Sequence, residues 1–125
     1  MGDYRKMVLK DCMTQHKMVY VASPVRAILE RIMYLDDAHR EIIETAREAA
    51  RVVKNAGHIP ISPALLWFEV FNDYKDRELL MDYCKFLLAK CAEIYVAKSK
   101  YSKFSTGIQK EIEWAREFGL TQVEY

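Results

Sequence analysis

Lys17-Met18-Val19-Tyr20-Val21-Ala22, closed by Ser23-Pro24, is the stretch on which the reading of the fold turns. A short apolar run without polar alternation suits a strand buried on both faces, as in the middle of a parallel sheet. Pro24 cannot donate to a ladder, so the strand ends there. Working outward, residues from about Ala27 to Asn55 predict a helix. Ala38, Ile42, Ala46, Ala49, Ala50 and Val53 recur at steps of three and four, and Arg40, Glu44, Arg47, Glu48 and Arg51 face water. Gly57 is the expected stop. His58-Ile59-Pro60-Ile61-Ser62-Pro63 reads as a short second strand running into a loop, and its prolines make a central position tight.

The alternation then repeats. Ala64 to Phe71 predicts a short helix and Asn72-Asp73-Tyr74 a turn. Asp76 to Cys91 predicts a long helix burying Leu79, Leu80, Tyr83, Leu87, Leu88 and Cys91. Glu93 to Ala97 is a third strand, Lys98 to Phe104 a basic loop, Gly107 to Phe118 a helix stopped by Gly119, and Thr121 to Val123 a final strand. Strands alternating with helices imply an α/β fold, a single-domain Rossmann-like (flavodoxin-like) mainly parallel sheet flanked by helices. Residues 1–16 carry no clean period and form an N-terminal arm, whether flexible, helical or an oligomer contact; residues 17–125 form the domain. In such folds ligands bind beyond the carboxyl ends of the strands. That edge gathers Ser23 to Arg26, Ser62 to Ala64, and the loop from Lys98 to Gly107.

Composition narrows the classes. The formal net charge of +1 gives no global basic excess for a DNA or RNA polymer. No apolar run is long enough to span a membrane, and Lys6, Lys10, Asp11, Gln15 and His16 interrupt any leader-like core. Cys12, Cys84 and Cys91 have no metal-type spacing and read as thiols of a reducing cytoplasm. No metal or cofactor is called for.

Ser105-Thr106-Gly107-Ile108-Gln109-Lys110-Glu111 is the segment with chemistry in it. A polar turn opening a helix offers free N–H groups and the Ser105 hydroxyl to an anion. The helix dipole would favour an ionised Glu111 in the first turn, and an ionised, held carboxylate can attack a sugar carbon. The plain alternative is a helix start, with Thr106 and Gln109 as a capping box. Elsewhere, His58 reads as structural and His39 as solvated. Trp67, Phe68 and Phe71 could stack on a base, or pack the core or a dimer contact. Arg77 could pair on the surface or meet a ligand, and Tyr101 and Phe104 could form a lid or anchor their loop.

Taken in order, Val19 to Pro24, Gly57 to Pro63, Leu88 to Val96, and Ser105-Thr106-Gly107 with Glu111 and Ala115 resemble the nucleoside 2-deoxyribosyltransferase-like superfamily, closest to its small bacterial and phage members. The resemblance covers residues 17 to 123. It implies that Glu111 attacks C1′ of a deoxyribose while the base leaves, and that Tyr20 hydrogen-bonds that carboxylate. Ser23, Arg26, Ser105 and Gly107 would hold phosphate or substrate, and Ser62 lies on the same edge. Lys98, Lys100, Lys103 and Lys110 could add positive field. It also implies a homodimer acting on a nucleoside or nucleotide. Three positions depart from the family pattern: Cys84 stands where an aspartate helps to protonate the leaving base, Ala92 where an aspartate is usual, and Ala64 where a histidine is frequent. Asp82, two residues from Cys84, is rotated by about 200° on a helix. Two readings follow: an N-glycosidase or transferase, or a non-catalytic nucleotide binder on the same fold.

Overall fold

The computed structural model describes residues 2–72 and 75–125. An N-terminal helix α1 (Gly2–Gln15) precedes β1 (Met18–Ala22), α2 (Val25–Arg31), α3 (Leu35–Asn55), β2 (Ile59–Ile61), α4 (Pro63–Trp67), α5 (Arg77–Ala89), β3 (Glu93–Val96), a 3-10 turn (Ser102–Phe104), α6 (Thr106–Glu117) and β4 (Thr121–Val123). The four strands form one parallel sheet in the order β2-β1-β3-β4. This is the Rossmann-like arrangement, with β1 central. No described helix is long and apolar enough to cross a membrane.

Strand periodicity splits β1 between two layers. Tyr20 and Ala22 pack with Ile94 against Cys84 and Leu88 of α5 and Ile108 and Ala115 of α6. Val19 and Val21 turn the other way, with Tyr95, onto Ala49 and Val53 of α3. Every residue from Val19 to Ala22 is fully buried, so the run that looked two-sided is covered on both faces. Pro60 sits on the edge strand, opposite Val19. Ile59 N–H donates to Lys17 O at 2.9 Å. By alternation the missing N–H of Pro60 falls on the outer side, where it costs no ladder bond.

Several boundaries differ from the sequence reading. The helix expected from Ala27 to Asn55 is two helices, because Ile32 takes an extended backbone. The break folds α2 onto α3 and lets Ile28 pack with Ala38 and Ile42, which one straight rod could not do. Asp36 and Asp37 sit in the first turn of the new helix, where its dipole favours them. On α5 the buried face is set by Cys84 and Leu88, while Leu79 and Tyr83 are exposed rather than buried. Tyr83 instead packs tilted against Trp67 and edge-on to Phe71, with centroids 6.0 and 5.8 Å away. The short helix expected to reach Phe71 stops at Trp67. Of the predicted turn, Asp73 and Tyr74 lie outside the described residues; Asn72 N–H donates to Asp76 Oδ2 at 2.9 Å.

The arm is helical, with Tyr4, Met7, Val8 and Leu9 exposed. It is fastened where it enters β1: His16 Nδ1 lies 2.7 Å from Gly57 O, and Lys17 N–H donates to His58 Nδ1 at 3.2 Å. Gly57, at φ +89°, makes the sharp exit from α3 that brings its carbonyl there. Leu88 has no exposed surface and sits at the centre of the α5 layer. Leu88→Ala should cost about 2–5 kcal/mol of stability, read from urea midpoints at unchanged slope.

Candidate functional site

The chain reverses direction across the sheet between β1 and β3, the place where parallel α/β folds open a crevice. Here the crevice is a solvent-open cleft. Ser23, Val25 and Arg26 enter it after β1. Ser105, Gly107 and Glu111 come from the start of α6, Arg77 and Cys84 from α5, and Trp67, Phe68 and Phe71 from the segment beginning with α4.

Glu111 is the buried acid of the site. Tyr20, whose ring β1 holds in the core, donates its phenolic O–H to Glu111 Oε2. Cys84 lies within hydrogen-bonding reach of Tyr20 and feels the Glu111 charge as well. Burial pushes the Glu111 carboxyl up from 4.5 to about 7, against the pull of the Tyr20 hydrogen bond and the positive Arg77. Burial and the Glu111 charge push the Cys84 thiol up to about 12. Tyr20 is raised well above its ordinary value, by burial first and then by Glu111.

This corrects one expectation. Glu111 is not in the first turn of its helix: α6 begins at Thr106, and its first turn holds no acid. The dipole falls off beyond that turn, so desolvation governs and favours the neutral form. The cap is also one residue earlier than expected. Ser105 Oγ accepts from Ile108 N–H at 3.1 Å, and Thr106 is already helical.

The remaining sequence candidates divide. Tyr20, Ser23, Arg26, Ser105, Gly107 and Glu111 converge on the cleft or its floor. Ser62 does not line it; its hydroxyl caps α4, accepting from Leu65 N–H at 3.3 Å. Ser23 Oγ is buried and, among the described residues, has no hydrogen-bond partner. A buried orphan hydroxyl is uncommon in a native fold and typically marks a place where a ligand or water is bonded. Lys98 turns away to Glu124, 3.6 Å distant, and none of the four lysines lines the cleft. The cations there are Arg26 and Arg77. Tyr101 packs against the cluster of Ile28, Ala38 and Ile42, and Phe104 lies under Arg31 at 4.2 Å, so both aromatics anchor the basic loop to the α2–α3 layer. His39 is exposed but sets its ring edge-on to Phe68. Arg77 is what the sequence undervalued: a lone arginine at a helix start carries no signal that the fold will turn it inward.

A parallel α/β domain with a buried carboxylate at its switch point is thus defined. The chain belongs to the family described as Domain of unknown function (DUF7768), which it matches over residues 17–125. No curated protein and no solved structure matches it.

Two measurements test the electrostatics and the shape of the site. Between pH 4.5 and 7 the folded chain keeps a proton on Glu111 that the unfolded chain releases. The associated stability is therefore full below about pH 4.5 and is lost as pH rises to about 7, a total of order 3 kcal/mol. Glu111→Gln should remove that slope from a series of denaturant melts. Gly107 has helical backbone, and an added Cβ would meet Ser105 Oγ at 3.7 Å and Arg77 Nη2 at 3.9 Å, ordinary contacts. Gly107→Ala should leave the melting temperature unchanged or raised while weakening any ligand seated between those two groups, measured by calorimetric titration.

Proposed function

We propose that this chain breaks or transfers the N-glycosidic bond of a nucleoside or nucleotide, with Glu111 as the nucleophile and Tyr20 as the group that orients it. The observation that carries the reading is the buried Tyr20–Glu111 hydrogen bond at the floor of the cleft. It fixes one carboxylate oxygen; in the proposed reaction the other attacks C1′ of a sugar. The likeness to deoxyribosyltransferases supports the same roles. The orphan hydroxyl of Ser23, the Ser105 hydroxyl, the start of α6 and the two arginines suit an anionic or hydroxyl-rich end of the substrate. Trp67, Phe68 and Phe71 suit a flat base.

One observation favours the second reading, a nucleotide binder without turnover. A thiol that keeps its proton at neutral pH, Cys84, stands where the pattern of the superfamily it resembles has an aspartate. Turnover separates the two. Free base released from a panel of nucleosides and 5′-monophosphates is measured by chromatography. Under the glycosidase reading, Glu111→Ala abolishes release, and kcat/KM rises with pH through about 7 as Glu111 ionises. Tyr20→Phe removes the hydrogen bond that favours the carboxylate, so its profile shifts to higher pH. Tight nucleotide binding that survives Glu111→Ala, with no release from any substrate, would establish the binder instead.

A further inference from the structure

The proton inventory of the cleft narrows the substrate further, given the glycosidase reading above. Breaking a bond to a neutral base leaves that base as an anion unless an acid protonates it. Among the described residues lining the cleft, the titratable side chains are Arg26, Arg77, Cys84 and Glu111. The groups acting on Glu111 are Tyr20 from β1 and Cys84 and Arg77 from α5. A guanidinium does not give up its proton in a protein. The Tyr20 proton is engaged by Glu111. The Cys84 thiol, pushed up to about 12 by burial and Glu111, is a weaker acid than an ordinary thiol. Glu111 itself must be ionised to attack. The cleft also has an aromatic lining: Trp67 and Phe71 meet edgewise with centroids 6.2 Å apart, and Phe68 joins them. Aromatic faces hold flat cations well.

We infer that the preferred substrate is a nucleotide whose ring already carries a positive charge at the glycosidic nitrogen or within the same ring system, such as a pyridinium or an N7-alkylated purinium. Such a ring leaves without an acid. The Glu111 carboxylate forms a bond to C1′. The C1′–N bond breaks, its electron pair stays on the ring nitrogen, and the ring loses its positive charge. Water then attacks C1′, the ester pair returns to Glu111 as carboxylate, and the water's second-step proton goes to solvent. For a pyridinium nucleotide the products are the sugar phosphate, a neutral pyridine and one proton. A cation beside Glu111 also favours its ionised form, so this substrate readies its own nucleophile. The anionic phosphate faces the Arg77 side, and the ring faces the aromatic side.

The test uses the full chain with nicotinamide mononucleotide, and with 7-methylguanosine 5′-monophosphate against guanosine 5′-monophosphate as a matched pair, alongside neutral deoxynucleoside monophosphates. Ring release is followed by chromatography and protons by pH-stat. The expected result is turnover of the cationic nucleotides at least about 100-fold above the neutral ones, the scale of a missing general acid. One proton should appear per nicotinamide, and both signals should vanish in Glu111→Gln. In a folded Cys84→Asp protein the restored acid should narrow the methylated-to-unmethylated gap by about tenfold or more. Neutral nucleotides turned over within tenfold of the cationic ones would overturn the inference and leave the glycosidase reading intact. So would a gap unchanged by Cys84→Asp. No Glu111-dependent release from any member of the panel would remove the glycosidase reading and this inference together.

Discussion

One hydrogen bond joins the centre of the sheet to the helix that carries the acid. Tyr20 is held from both sides by the core, so its hydroxyl has almost no freedom, and Glu111 meets it from α6. A carboxylate buried without such a partner would be strongly disfavoured. With it, the acid stays in the layer between β1, α5 and α6, close enough to neutrality to change protonation near pH 7. The position of α6, and hence of Ser105 and Gly107 at its start, follows from that anchor and from the packing of Ile108 and Ala115.

The cleft is a consequence of topology before it is one of side chains. Because β2 and β3 flank β1, the segments leaving β1 and β3 diverge, and a gap opens above their carboxyl ends. The sequence fills that gap asymmetrically. The β1 and α6 side is polar, with Ser23, Ser105 and Gly107, whereas the segment from α4 supplies Trp67, Phe68 and Phe71. Arg77 stands by Gly107. The lining therefore combines polar and aromatic side chains drawn from different elements.

Much of this was readable from residue order. The apolar run from Val19 to Ala22, the stops at Gly57 and Gly119, and the alternation of strands and helices are local signals, and each appears where its chemistry requires. What was not readable depends on packing over distance. The corner at Ile32 has no glycine or proline to announce it; it exists because Ile28 must reach Ala38 and Ile42. Leu79 and Tyr83 fit the apolar stripe of α5, yet the helix is rolled so that Cys84 faces Tyr20 instead. For the site, Tyr20 and Glu111 were marked by their motifs, but the balance between dipole and desolvation was decided by the helix starting at Thr106. Ser62 had the right residue type on the right edge, and local backbone claimed its hydroxyl first.

The proline on the edge strand reaches beyond the fold of one molecule. An open sheet margin is a template on which another chain can add a strand. On the β2 margin that template is three residues long, and Pro60 supplies no donor in the middle of it. Growth of the sheet from one copy into the next is thus disfavoured on that side. The flank beside β2 is in this way guarded against the misassembly to which exposed strands are prone.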